Sequence, residues 1–137
     1  MNITDKGDYI EYYAGPVKTC VKEDIEQINA VAWVKYNHPE CIVFHAVNEG
    51  KKTMHSALRD EQAGLLKGVA DFSIILPNGM FAAIELKRAG KTQASPVSEE
   101  QKAFLRGCRE RGCFASVAYG LEAFKAAFKD CLNSTNC

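Results

Sequence analysis

Apolar and polar positions alternate most clearly between Phe72 and Lys87, where two apolar runs flank Pro77-Asn78-Gly79. That pattern predicts a β-hairpin with its turn at Asn78. Upstream, Ile25, Ile28, Val31, Ala32 and Tyr36 recur at spacings of three and four, which predicts a helix over 21–37. Asn37-His38-Pro39 ends it. The nearly unbroken apolar run at 41–47 predicts a buried strand, followed by a polar loop at 48–52. A second helix is expected over 54–66, with Gly64 near its end. Beyond the hairpin, Ala94-Ser95-Pro96 reads as a linker. Ser98 then opens a helix that runs to Arg111 and is closed by Gly112 in the C′ position. A strand over 114–119 and a helix over 121–132 follow, the helix carrying Leu121, Phe124, Phe128 and Leu132 on one face. No element is assigned to residues 1–20, an N-terminal extension whose Tyr9, Ile10, Tyr12 and Tyr13 pack either on the domain or on a partner chain. The domain proper spans 21–132, and 133–137 form a C-terminal tail.

The second hairpin strand, the helix after it and the strand at 114–119 make a β-α-β unit with parallel strands and a right-handed crossover. The fold class is α/β, a mixed sheet flanked by helices. A length of 137 residues suits one core, and 47% apolar with 25% charged residues suits a globular chain. No apolar run approaches the ~20 residues a membrane span needs, and the polar start MNITDKGDYIEYY is no signal peptide. A cytoplasmic location and no membrane partner follow as expectations. The six cysteines are scattered, with no CxxC, and are expected to be reduced thiols rather than a disulfide framework or a zinc site. Formal net charge is zero, so a nucleic-acid partner would have to be held by a local patch.

The hairpin raises a chemical question. Asp71 and Glu85 each lie seven residues from Asn78, so they fall opposite each other. Alternation puts Phe72, Ile74, Leu76, Ala82, Ile84 and Leu86 on one face and Asp71, Ser73, Ile75, Phe81, Ala83, Glu85 and Lys87 on the other. The charges therefore gather at one end of one face. Two carboxylates ~4–5 Å apart repel by roughly 3–4 kcal/mol at an effective dielectric near 20. A proton on one of them would relieve this. So would a divalent cation, for which hard oxygen ligands suit Mg²⁺ or Mn²⁺. A third reading is an ordinary surface salt-bridge cluster with Lys87 at a sheet edge, nearly neutral in energy.

Asp71, a strand–turn–strand, and then Glu85-Leu86-Lys87 resembles the PD-(D/E)xK nuclease pattern, and more closely the stand-alone phage and bacterial VRR-NUC (virus-type replication-repair nuclease) domains. The resemblance rests on an ordered set: Glu26-Gln27 and Trp33, the loop Asn48-Glu49-Gly50-Lys51-Lys52, Gly64, Gly68-Val69-Ala70-Asp71, Ser98-Glu99-Glu100-Gln101, Gly112 and Tyr119-Gly120. Ala70 stands where the family usually has proline, Glu49 where it has a small residue, and Lys52 where it has arginine.

The resemblance implies a restriction-endonuclease-like (PD-(D/E)xK) core and a Mg²⁺- or Mn²⁺-dependent DNA endonuclease. Its metal would be held by Asp71, Glu85, the main-chain carbonyl of Leu86 and Glu26. Lys87 would position or activate water, and Gln101 would orient water or a ligand unless it only completes a capping box with Ser98. Asn48, Lys51, Lys52, Lys67 and Arg88 would contact DNA. Cutting selective for structure, at branched or Holliday-junction-like DNA in repair or recombination, and a homodimer are the expected finer features. The alternative is a DNA-binding module that kept the fold without catalysis. His38, His45 and His55 match no family position and are expected to play structural roles.

Overall fold

The computed structural model describes residues 1–45 and 53–134. The loop residues Asn48, Lys51 and Lys52 singled out above lie outside them. One six-stranded mixed sheet organises the described residues, in the order β1-β2-β6-β5-β4-β3. The strands are β1 (Asn2–Asp5), β2 (Ile10–Tyr13), β3 (Ile42–Phe44), β4 (Phe72–Ile75), β5 (Phe81–Lys87) and β6 (Phe114–Tyr119). The helices are α1 (Glu23–Asn37), α2 (Met54–Gln62), α3 (Glu99–Glu110) and α4 (Leu121–Ser134). None of the helices among these residues is long and apolar enough to cross a membrane.

The hairpin forms in the expected register. Phe72 pairs with Ile84 and Ile75 with Phe81, antiparallel, which centres the turn on Asn78. Gly79 takes φ 85°, the left-handed conformation that closes the turn without a Cβ clash. β5, α3 and β6 form the β-α-β unit, with Glu85 beside Val117 and Lys87 beside Tyr119 in parallel register. Residues 2–5 and 10–13, which the sequence left without elements, extend this sheet: β2 lies parallel to β6, and β1 pairs antiparallel with β2 at the edge. Tyr9 and Tyr12 are buried within the domain.

Both faces of the sheet are covered. One face packs Phe72, Ile74, Leu76, Ala82, Ile84 and Leu86 against Ala30 and Val34 of α1 and Ala123, Phe124, Ala127 and Phe128 of α4. The other face packs Ala70, Ala83, Ala115 and Val117 against Leu105 of α3.

Two expectations are corrected, and the docking of the first helix adds a third point. The apolar run at 41–47 is not a buried strand where it is described: β3 is a three-residue edge strand with Ile42 and Phe44 exposed. The second helix stops at Gln62, and Gly64 at φ 104° follows in a turn. The first helix forms as expected, yet it docks through Glu26, Ala30 and Val34, while Ile25, Ile28 and Tyr36 face outward.

Candidate active site

β5 is flanked by β4 and β6, so its side chains are buried alternately under α1 and α4 and under α3. Glu85 and Lys87 are only 2% and 3% exposed. This removes the reading of a solvated salt-bridge cluster at a sheet edge. Buried charges persist only when paired or hydrogen-bonded, and here nearly every polar atom has a partner.

The antiparallel ladder between β4 and β5 ends at Phe72 and Ile84. The next rung is built from side chains. The Asp71 N–H donates to Glu85 Oε2 at 3.0 Å, and the Leu86 N–H donates to Asp71 Oδ2 at 3.1 Å. The two carboxylates are thus held by each other's strand. Gly68 sets where the chain leaves the sheet. It has φ 83°, and a Cβ there would lie 2.4 Å from the backbone carbonyl of Glu100. Only glycine allows this segment to lie against the start of α3.

That approach brings Gln101 to the site. Gln101 completes the capping box and also reaches Glu85. Its backbone N–H donates to Ser98 Oγ and its Oε1 accepts from the Ser98 N–H, a complete capping box. Its Nε2 donates to Glu85 Oε1 at 2.8 Å. Lys87 Nζ donates to Ser95 Oγ at 3.1 Å and to Gln101 Oε1 at 3.4 Å, and lies 3.7 Å from Glu85 Oε1.

The third carboxylate comes from the first turn of α1. Glu23, Asp71 and Glu85 each offer an oxygen, and these oxygens lie within 4.8 Å of one another. Sequence reasoning chose Glu26 for this place. Glu26 is buried but turns elsewhere: it accepts from the backbone N–H of Leu121 at the start of α4, and its Oε2 has no hydrogen-bond partner. Glu23 and Glu26 are one turn apart on the same helix, so only the docking angle of α1 decides which meets Asp71.

The electrostatics carry the mark of uncompensated negative charge. Burial, and then the charge of Asp71, raise Glu85 far above the ordinary carboxylate range, with Lys87 opposing. Glu23 is raised for the same reasons in the same order, with Lys87 and Arg88 opposing. Three hard oxygen donors in a half-buried site, with Glu85 and Glu23 holding their protons more tightly than in water, form a donor set that fits a divalent Mg²⁺-like cation.

The remaining candidates fall outside this cluster. Lys67 is mostly exposed and pairs with Glu61 at 3.3 Å. Arg88 turns toward the protein: its Nε donates to the Val21 carbonyl at 3.0 Å and its Nη2 to the Cys20 carbonyl at 3.1 Å. His45, expected to be purely structural, bonds through Nδ1 to the main-chain carbonyl of Asp71 at 2.9 Å. No local pattern marks it, because the contact spans 26 residues.

Comparison with known proteins bears on the family and the fold. The VRR-NUC domain family matches residues 21–122. A solved structure described as a VRR_NUC domain protein superposes with a TM-score of 0.66 at 18% identity, covering 85% of this chain and 92% of its own. No curated protein matches the chain.

Proposed function

Because the chain belongs to the VRR-NUC domain family, a nuclease-type family, we propose that it hydrolyses phosphodiester bonds in DNA with a divalent metal. The observation that carries this reading is the convergence of Glu23, Asp71 and Glu85 beside the buried Lys87. Asp71, Glu85 and Glu23 would hold the ion. By strand geometry the Leu86 carbonyl leaves the backbone on the same side as its N–H, toward Asp71, and would complete the set. The bound metal supplies Lewis acidity at the phosphate and a lowered pKa for water. Lys87 holds the attacking water with its Nζ and stands by the charge that develops on the phosphate. Gln101 fixes Glu85 and Lys87 in one geometry. Glu26 supports the site from behind by tying α1 to the start of α4.

The substrate we favour is branched DNA, cut by structure rather than by sequence. The sequence carries no aromatic stacking ladder, which favours recognition through backbone shape. The outward-facing Ile25, Ile28 and Tyr36 of α1 supply an apolar surface for a second copy, which would set two sites against two strands.

The test is cleavage of junctions, flaps and single strands with Mg²⁺ or Mn²⁺. Asp71→Asn and Lys87→Ala should each lower cleavage by about 10²–10³-fold or more while the circular dichroism spectrum is kept. Undiminished cutting by Asp71→Asn would remove the assignment.

A further inference from the structure

Three carboxylates within one hydrogen-bonded cluster repel each other before any cation arrives, so something must hold the third one in place. Asp71 and Glu85 are fixed by adjacent strands and by each other's backbone. Glu23 has no such frame. It is the first residue of α1, and the N-cap residue Lys22 makes no side-chain cap. Asp24 accepts from the neighbouring Ile25 N–H. An uncapped first turn carrying Glu23, Asp24 and Glu26 should fray and swing its acids into solvent.

Arg88 opposes this. It follows Lys87 directly at the end of β5, the most heavily buried strand of the sheet. Its guanidinium grips the carbonyls of Cys20 and Val21 through Nε and Nη2, two and three residues before Glu23. The same cation draws on the charges of both Glu23 and Glu26. A planar fork aimed at two successive carbonyls fixes orientation as well as position, which a lysine cannot do.

We propose that Arg88 is a positioning residue for metal binding: it clamps the entry to α1 so that Glu23 is already seated against Asp71 and Glu85 when the cation binds. The inference rests on the metal-site reading above. It assigns Arg88 a role inside the protein rather than on a DNA phosphate. Preorganisation is the physical content. Without the clamp, the first turn must be ordered at the expense of the binding energy of the ion.

The experiment is Mn²⁺ binding to the DNA-free protein, followed by calorimetry and by electron paramagnetic resonance of the bound ion. Arg88→Ala should bind Mn²⁺ about 10- to 100-fold more weakly, the range seen for groups that orient metal ligands. Glu23→Gln should weaken binding similarly, and adding Arg88→Ala to it should change affinity by less than about twofold, because both act through one ligand. Arg88→Lys, which retains the charge and is the milder change should Arg88→Ala not fold, should recover only part of the loss. Unchanged Mn²⁺ affinity in either Arg88 variant overturns the proposal. So does an equal loss in the presence and absence of Glu23. If Arg88→Ala keeps full Mn²⁺ affinity but lowers the salt slope of DNA binding by about one, Arg88 is a phosphate contact and the proposal is wrong. The underlying metal-site reading fails separately: there the unsubstituted protein binds no Mn²⁺, or Asp71→Asn binds it equally well, and this proposal falls with it.

Discussion

The two faces of one β-hairpin are buried by opposite means. Toward α1 and α4, Phe72, Ile74, Ile84 and Leu86 are fully enclosed, and apolar contact holds them. Toward α3, Ser73, Glu85 and Lys87 are almost equally enclosed, and the charged atoms of Glu85 and Lys87 are held by the Asp71 backbone, Gln101 and Ser95. The first face stabilises the fold. The second draws on that stability to hold carboxylates with protons bound more tightly than in water. A central strand allows the division because alternate side chains share a backbone yet not an environment. Stiffness from the apolar side is what keeps the polar side aligned.

Substitutions should separate the faces. The largest loss of stability is expected from Ile74→Ala, about 2–5 kcal/mol by chemical denaturation, with cleavage per folded molecule little changed. Loss of cleavage in proportion to the residual fold would keep the division; loss of cleavage in a fully folded variant would break it. A smaller effect, about 1–3 kcal/mol, is expected from Gly68→Ala, which forces a left-handed φ on an L-residue and a Cβ into the Glu100 backbone. Here cleavage should fall more than stability does, because the same shift moves Gln101 away from Glu85. Equal damage to both would place Gly68 with the apolar face.

The mildest perturbation is of pH in the metal-free protein. Glu85 and Glu23 are both raised on folding, above the ordinary value of 4.5. The folded state then holds protons that the unfolded chain has released. The stability they contribute is complete below about pH 4.5 and is lost as pH rises through their folded values. The slope is at most about 1.4 kcal/mol per pH unit for each proton. In EDTA, thermal melts should therefore drop in temperature above pH 5. Glu85→Gln should flatten the trend, and saturating Mn²⁺ should reverse it by favouring the ionised site. A flat profile for the unsubstituted protein would mean that the polar face is better compensated than its geometry indicates.

Local sequence carried much of this molecule. The turn at Pro77-Asn78-Gly79, the hairpin register, the capping box from Ser98 to Gln101 and the glycine after α3 are each set by residues within a few positions of one another. So is the opposition of Asp71 and Glu85, because a hairpin's register follows from its turn. Lys87 was visible for the same reason, whereas Gly68 and the link of Gln101 to the site were singled out only by the resemblance to the VRR-NUC pattern.

Long-range choices were not. The spacing of Ile25, Ile28, Val31, Ala32 and Tyr36 predicted a helix without fixing how it docks, and the docked side is Glu26, Ala30 and Val34. With that rotation, Glu23 instead of Glu26 joins Asp71 and Glu85. Arg88 turned inward to carbonyls 67 and 68 residues away, His45 reached the Asp71 backbone, and the first residues became sheet. What the sequence by itself determined is the hairpin and the helices and strands from residue 21 on, and which hairpin positions share a face, since periodicity and turn chemistry act between neighbours. Which helix face docks, which acid enters the cluster and what holds it there were decided only by the tertiary structure, because those depend on how closely distant backbones can approach.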